Sequence, residues 1–221
     1  MKIIIISKDN YWTSRLIEKL KTYKLDFIYL NKYLSSDIKK YNPDWIFFFH
    51  WSDMVEENIY SNYKCAVAHT GILPEHRGGS PLQNQIIQGI VKTRVNIIEM
   101  TDPVDSGAIY CSQDITLQGS INDIWYSIAD ITSELIIHCI NNNPLPKPQQ
   151  GTPQTFKRIK DNTIKINENE NINSIYDQIR MVDGAGYPLS YMEINGFKLE
   201  FSRAKLENEE ILTDVKIKKI S

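Results

Sequence analysis

Residues 65–110 read CAVAHTGILPEHRGGSPLQNQIIQGIVKTRVNIIEMTDPVDSGAIY, and this stretch carries most of the information about the fold. Apolar and β-branched runs predict two strands in it, over Cys65–Ala68 and Val95–Met100, and a third that begins at its end, over Ala108–Ile115. Between the first two, Ser80 and Pro81 predict the start of a helix, because serine caps helix N-termini and proline is tolerated at the first helical position. Strands separated by a helix are typical of an α/β sheet.

The residues on either side of this stretch continue the alternation. Ile3–Ile6 is a continuous β-branched run, which is expected of a central parallel strand that is buried on both faces. Further strands are predicted over Leu25–Leu30 and Pro43–Phe49, and helices over Thr13–Lys21, Ser35–Tyr41 and from Ser120 to the Asn141–Pro144 stop signal. The sequence therefore predicts a Rossmann-like, open and mainly parallel α/β sheet.

The character of the chain changes after Pro144. A Pro-rich segment up to Gly151 reads as a linker, so we expect a main domain over residues 1–150 and a C-terminal extension over residues 151–221. The extension contains a predicted helix over Ile172–Val182 and a charged tail. Between them, two apolar runs flank Asn195-Gly196, which predicts a β-hairpin.

The hairpin also carries a prediction about assembly. Three aromatic residues lie on its strands, Tyr191, Phe197 and Phe201. A two-stranded unit is marginally stable by itself, so these side chains need a surface to pack against. The same element of a second chain would provide one, and we therefore expect a homodimer.

Composition limits the classes of partner and compartment. The 221 residues include 25 Lys and Arg against 27 Asp and Glu, and this balance gives little support for binding a nucleic acid backbone. Three cysteines without CxxC spacing are typical of reduced, buried thiols, and they predict neither a disulfide framework nor a metal site. The N-terminal apolar run is shorter than the core of a secretory signal, and no segment has the ~20 apolar residues of a membrane span. We expect a cytoplasmic protein without a membrane partner.

Two polar residues in the opening stretch are candidates for acid–base chemistry. His69 follows the predicted strand Cys65–Ala68, and Asp105 precedes the predicted strand that begins at Ala108. We therefore expect both residues on loops at one edge of the sheet, where ligands of open α/β sheets bind. An imidazole can take up a proton near neutral pH, and a nearby carboxylate can orient it and stabilise the imidazolium. Such a pair suits the attack of an amine on a carbonyl, in which a proton must leave the nitrogen. A single histidine after a strand is also compatible with a packing role.

The local pattern resembles the formyltransferase family that uses 10-formyltetrahydrofolate. Its catalytic histidine stands in an Asn-x-His-x-x-Leu-Leu-Pro stretch followed by Arg-Gly, and its aspartate in a Leu-Asp-x-Gly loop. Here His69 with Ile72-Leu73-Pro74 and Arg77-Gly78 matches the first motif, and Val104-Asp105-Ser106-Gly107 the second. The resemblance implies an N-formyltransferase whose catalytic residues are His69 and Asp105. It also implies a metal-free donor slot, bordered by Trp51, Ser52, Ile72, Leu73, Asp102 and Asp105.

One position departs from the family pattern. The asparagine that stands two residues before the histidine, and that polarises the formyl oxygen, falls on Val67 here. Valine has no hydrogen-bond donor, and one lost donor can cost about 2.7–4 kcal/mol of transition-state stabilisation. The candidate replacements are Thr70, Asn84 and the backbone N–H groups near Gly78 and Gly79. A homologue that binds folate without transferring the formyl group is the alternative.

The resemblance leaves the acceptor open among several family members. A nucleotide-linked deoxyamino sugar, such as a dTDP-amino-dideoxy sugar for the O-antigen of a surface lipopolysaccharide, is the reading that we favour over methionyl-tRNA or glycinamide ribonucleotide. The implied acceptor-binding residues are Asn10, Tyr11, Trp12, Arg77, Gly78, Gly79, Ser80 and Tyr187. An Asx turn that caps the first helix explains the loop at Asn10 equally well.

Overall fold

The computed structural model describes residues 1–160, 163–167 and 169–220, and it divides the chain into two compact units. The first unit comprises Met1–Arg77, Thr93–Ile115 and Tyr126–Thr155. The second comprises Gly78–Lys92, Thr116–Trp125 and Phe156–Ser221. The boundary at residue 150 that the sequence predicts stays a prediction.

Eleven strands and six helices are assigned within the described residues. The strands are β1 (Ile3–Ile6), β2 (Ile28–Leu30), β3 (Trp45–Phe48), β4 (Cys65–Thr70), β5 (Arg77–Gly78), β6 (Lys92–Glu99), β7 (Ile109–Thr116), β8 (Thr155–Phe156), β9 (Tyr191–Ile194), β10 (Phe197–Glu207) and β11 (Glu210–Lys219). The helices are α1 (Tyr11–Thr22), α2 (Ser35–Tyr41), α3 (Glu57–Tyr60), α4 (Pro81–Ile87), α5 (Ile121–Asn142) and α6 (Ile172–Arg180). None of these helices has the length and apolar character of a membrane span.

A six-stranded sheet in the order β2-β1-β3-β4-β6-β7 positions the candidate site. Strand β1 pairs in parallel with β2 and with β3, and β3 pairs in parallel with β4. All four residues of β1 and all four of β3 are buried, as their unbroken apolar sequences predict for central strands. The predicted fold class, a Rossmann-like and mainly parallel sheet, is confirmed.

Strand β6 runs antiparallel to β4, and this changes where the Asp105 loop begins. In the register of this pair, Thr70 lies opposite Val95 and Ala66 lies opposite Glu99. The loop after Glu99 therefore leaves the sheet beside the start of β4, whereas the sequence places it at the same edge as the end of β4. The loop folds back from there to reach His69, which lies within β4 and not after it.

The predicted cap of helix α4 is wrong in its chemistry. Ser80 stands at the N-cap position, but its backbone is left-handed, with φ of 47°, and its side chain makes no capping hydrogen bond. The Ser80 hydroxyl instead accepts the backbone N–H of Ile159. Pro81 does occupy the first turn, as predicted.

The second unit contains a three-stranded antiparallel sheet in the order β11-β10-β9. The predicted hairpin at Asn195-Gly196 is present, and both turn residues have positive φ. The prediction of a charged tail after the hairpin is wrong, because residues Glu210–Lys219 form strand β11. Apolar residues alternate with polar ones there at Ile211, Val215 and Ile217, a period-two pattern that favours a strand despite the charges.

The Pro-rich segment after Pro144 is anchored to the first unit. The backbone N–H and carbonyl of Lys147 both pair with Ile109. Gln149 in the same segment is partly buried. The segment predicted as a linker is therefore part of the first unit at these residues. The three cysteines are free thiols, as expected, although the Sγ atoms of Cys111 and Cys139 approach to 3.4 Å.

Candidate active site

His69 and Asp105 form a buried pair in the first unit. The Nδ1 atom of His69 lies 3.4 Å from a carboxylate oxygen of Asp105, and the two side chains are only 6% and 11% exposed. His69 belongs to β4, and Asp105 lies on the loop between β6 and β7. The structure thus brings together the two residues that the sequence selects, although they are 36 positions apart.

The backbone carbonyl of His76 fixes the other ring nitrogen of His69. The Nε2 atom of His69 lies 2.6 Å from that carbonyl oxygen. A carbonyl only accepts hydrogen bonds, so Nε2 must carry a proton and donate it. In the neutral ring, Nδ1 is then the basic nitrogen, and it faces Asp105. The arrangement prepares Nδ1 to take up a proton and the carboxylate to stabilise the imidazolium that results.

The turn after β4 is shaped so that His76 can reach His69. The Nδ1 atom of His76 accepts the backbone N–H of Ile72, and the backbone N–H of His76 donates to the Ile72 carbonyl. A Cβ atom at Gly71 would lie 2.7 Å from the Cβ of His76 and 3.3 Å from the Nε2 of His69. Glycine at position 71 therefore permits the contact between the two histidines.

Asn96 supports the same turn from the neighbouring strand. It lies opposite His69 in the β4–β6 register and is only 1% exposed. Its amide nitrogen donates to the carbonyls of Gly71, at 2.7 Å, and His69, at 3.2 Å. Asn96 was not among the predicted site residues, although the sequence holds one signal for it: it is a polar residue in the apolar run Val95–Ile98.

The Asp105 loop has a strained and closely packed backbone. Asp105 has φ of 59°, in the left-handed region that few non-glycine residues adopt. A Cβ atom at Gly107 would lie 2.0 Å from the carbonyl oxygen of Glu99, so only glycine fits at this position. The path of the loop thus requires the glycine at position 107.

The predicted donor-slot residues lie on three loops of the first unit. Trp51 packs against the core cluster that also contacts Val67, and its Nε1 atom is buried without a hydrogen-bond partner among the described residues. Ser52 is exposed and accepts a hydrogen bond from Lys8. Ile72 and Leu73 lie on the turn after β4, the strand that contains His69, and Asp102 lies on the same loop as Asp105.

A comparison with models of protein families shows the family of this chain. The family model described as "Formyl transferase" matches residues 8–140, more than half of the 221 residues. The chain belongs to the formyl transferase family. A second family model, "Methionyl-tRNA formyltransferase, C-terminal domain", matches residues 161–218.

Named relatives and solved structures agree with this family. A methionyl-tRNA formyltransferase of Syntrophomonas wolfei is 26% identical over 182 residues, which are 78% of this chain but only 57% of that protein. The chain thus spans less than two thirds of that relative. A solved structure called methionyl-tRNA formyltransferase, from Clostridium thermocellum, is 32% identical, covers 99% of both chains and has a TM-score of 0.93.

Two more distant structures share the fold. HypX from Aquifex aeolicus, solved in complex with tetrahydrofolic acid, is 17% identical and covers 94% of this chain and 38% of its own, with a TM-score of 0.81. A sugar N-formyltransferase from Shewanella is 18% identical, and the match covers 91% of this chain and 96% of that one, with a TM-score of 0.69. At these identities the likeness shows the fold alone.

Of the implied acceptor residues in the segment directly after β1, Asn10 and Trp12 have roles within the protein. The side-chain oxygen of Asn10 accepts the Thr13 N–H and caps α1, and its amide nitrogen contacts the Lys8 carbonyl and His50. Trp12 is 3% exposed and packs edge-on against the ring of His50. Tyr11 is 65% exposed. The Asx-turn alternative therefore accounts for Asn10. Contact between the loop at Asn10 and the acceptor stays a prediction.

His50 itself was assigned no role from the sequence. It lies just beyond β3 with φ of 48°. Burial, reinforced by the charge of Lys8, lowers the pKa of His50 to about 4. The imidazole is therefore neutral near pH 7, which agrees with its Nδ1 accepting a hydrogen bond from Asn10.

The remaining implied acceptor residues lie in the second unit, apart from Arg77. The backbone N–H of Gly79 donates to the Phe156 carbonyl, and Gly78 and Ser80 flank it. Burial raises the pKa of Tyr187, whereas hydrogen bonds from Gln83 and Trp125 oppose that shift. Arg77, in the first unit, donates two hydrogen bonds from its guanidinium to the side-chain oxygen of Gln149. Gln149 belongs to the segment that the sequence predicts as a linker.

Two of the replacements suggested for the missing family asparagine are already used. The amide nitrogen of Asn84 lies within hydrogen-bond distance of the carbonyls of Gly79, Ser80 and Lys157. The N–H of Gly79 is also bonded, as described above. Neither group is therefore available as a donor to a formyl oxygen. The described residues contain no cluster of side chains that could hold a metal ion.

Proposed function

We propose that this protein is an N-formyltransferase that moves a formyl group from 10-formyltetrahydrofolate to an amine. The observation that carries the proposal is the buried His69–Asp105 pair, in which the His76 carbonyl holds the proton of Nε2 and leaves Nδ1 as the base. His69 would remove the proton that the attacking amine loses, and Asp105 would stabilise the resulting imidazolium. Family membership supports the same chemistry.

The donor in this proposal is a folate, which membership of the formyl transferase family supports. Trp51, Ser52, Ile72, Leu73 and Asp102 are the residues that would border the donor. When bound, the folate supplies the formyl group. The solved HypX complex with tetrahydrofolic acid shows that a protein of this fold binds the product form of such a donor.

For the acceptor, we propose the amine of a nucleotide-linked deoxyamino sugar. The C-terminal sheet and its turns, residues 191–220, contain six Lys and Arg and six Asp and Glu. Such a neutral surface offers little attraction to a tRNA backbone, whose affinity comes largely from neutralised phosphates. Methionyl-tRNA is the second candidate, favoured by the names of the relatives and by the C-terminal family match. The predicted use for O-antigen and the cytoplasmic location stay predictions.

An acceptor assay separates these candidates. The protein is incubated with 10-formyltetrahydrofolate and either a panel of nucleotide-linked amino sugars or methionyl-tRNA, and release of tetrahydrofolate is measured. We expect release with at least one amino sugar and not with the charged tRNA. Release with the tRNA alone would reverse the acceptor assignment but keep the enzyme class. Folate binding without release under any condition would indicate the inactive, folate-binding alternative.

A substitution at Val67 tests whether the site lacks a hydrogen-bond donor to the formyl oxygen. It pairs with Phe48 and Ile98 on neighbouring strands and is half-buried against the same core cluster as Trp51. We expect Val67→Asn to raise kcat, because it restores an amide two residues before His69. It should also lower the free energy of unfolding by about 1–3 kcal/mol, because it places a polar group in an apolar setting. Val67→Ile is the apolar control, and a folded Val67→Asn variant with unchanged kcat would show that another group already acts as the donor.

We further propose that the C-terminal sheet forms a homodimer interface. Cross-strand pairing places four exposed apolar residues on one face, Ile194, Phe197, Val215 and Ile217. Phe201 shares this face, as its pairing with Val215 shows. Tyr191 does not: it lies opposite Glu200, and the Lys198 ammonium sits 4.0 Å from its ring. The prediction that Tyr191 contributes to this interface together with Phe197 and Phe201 is therefore wrong.

Sedimentation tests this interface. Ile217 is 65% exposed, and we expect Ile217→Lys to convert a dimer into a monomer at micromolar concentration, because a charge cannot be buried in an apolar contact without a partner. Lys216→Ser, on the opposite face of the same strand, is the control and should remain dimeric. A monomeric wild-type protein would contradict the proposal.

A further inference from the structure

The side chain of Gln149 connects Arg77 to the catalytic loop. Its Oε1 atom accepts hydrogen bonds from the Nε and Nη2 atoms of Arg77, at 2.9 and 2.7 Å. Its Nε2 atom donates to the carbonyls of Asp105 and Gly107, both at 2.8 Å. The amide therefore uses two donors and two acceptor positions, which is its full hydrogen-bonding capacity.

The direction of this amide is determined by chemistry. A guanidinium only donates hydrogen bonds, so the oxygen of Gln149 must face Arg77. The NH₂ group must then face the two loop carbonyls, which only accept. Arg77 thus fixes the orientation of Gln149, and Gln149 in turn holds the loop at two points, on either side of Ser106.

The loop requires such an anchor. Asp105 has a left-handed backbone, and Gly107 passes so close to Glu99 that no Cβ would fit. Uncommon backbone conformations persist only when the surrounding contacts determine them. The conformation of Asp105 matters because it places the carboxylate 3.4 Å from the Nδ1 of His69.

We infer that Gln149 is a positioning residue that acts on catalysis through Asp105, with Arg77 as its orienting partner. The inference rests on the proposed N-formyltransferase function. It gives Arg77 a role within the protein that differs from the acceptor contact implied by its motif. It also gives the Pro-rich segment a function, because that segment delivers Gln149 to the loop.

Kinetics of paired variants test this role. Gln149→Met keeps the length of the side chain but removes all four hydrogen bonds, and we expect it to lower kcat by about 10²-fold, with little change in KM for the donor. Gln149→Glu keeps an acceptor for Arg77 but sets a carboxylate against two carbonyls, so it should lower kcat while the Arg77 contact remains. Gln150→Met, at the exposed neighbouring position, is the matched control and should behave like the wild type.

A double-variant comparison distinguishes positioning from general stability. If Gln149 acts through Asp105, then adding Gln149→Met to Asp105→Asn should lower kcat little further. A purely structural residue would lower kcat by the same factor in both backgrounds, and that result would overturn the inference.

Hydrogen exchange provides a readout that needs no activity. We expect amides in peptides covering residues 101–108 to exchange faster in Gln149→Met than in the wild type or in Gln150→Met. Unchanged exchange would overturn the inference. If the wild type transfers no formyl group to any acceptor, the proposed function fails, while the exchange measurement still decides whether Gln149 holds the loop.

Discussion

His69→Ala is expected to lower kcat for formyl transfer by at least about 10²-fold, the usual effect of removing a group that transfers a proton. The structure gives the reason. The Nε2 of His69 is bonded to the His76 carbonyl, so Nδ1 is the one ring nitrogen left to accept the proton of the amine. The measurement is tetrahydrofolate release under saturating donor and acceptor, with the folded state checked by thermal unfolding.

His138→Ala is the matched control for this prediction. His138 is exposed near the end of α5 and bonds to Asn142 one turn further along the helix. Its replacement should leave kcat unchanged. A His69→Ala protein that is folded and as active as the wild type would remove His69 from the mechanism and leave the proposed site without a base.

Asp105→Asn is expected to have an effect of similar size, a loss in kcat of at least about 10²-fold. The asparagine amide has nearly the same shape as the carboxylate but carries no charge. Because Asp105 faces the Nδ1 of His69 at 3.4 Å in a buried setting, the neutral amide would no longer stabilise the imidazolium. An amide N–H turned toward Nδ1 would also occupy the lone pair that must accept the proton.

Asp114→Asn provides the control for the loss of one carboxylate charge. Asp114 lies on β7, its side chain is 78% exposed, and it forms an ion pair with Arg94 at the surface. Such exposed pairs contribute little to stability, so this variant should keep the wild-type kcat. If Asp105→Asn and Asp114→Asn were equally active, the histidine would work without its carboxylate and the paired mechanism would be wrong.

Several features of the protein follow from the sequence alone. The β-branched run of β1 and the apolar run of β3 predict buried central strands, because a strand covered on both faces needs apolar side chains at every position. Asn195-Gly196 predicts a hairpin, because both turn residues must adopt positive φ. His69 and Asp105 were selected through two motifs in the right order. These signals are local, so they can be read without knowing which strands are neighbours.

The tertiary structure decided what depends on strand order and direction. The antiparallel β6 sends the Asp105 loop away from the edge where the sequence placed it, and the loop reaches His69 only by folding back. Asn96 supports the catalytic turn because β6 lies beside β4, and Gln149 supports Asp105 because the Pro-rich segment packs on the first unit. Such contacts join residues tens of positions apart. Local periodicity carries no information about them, because hydrogen-bond partners across a fold are set by the packing of whole elements.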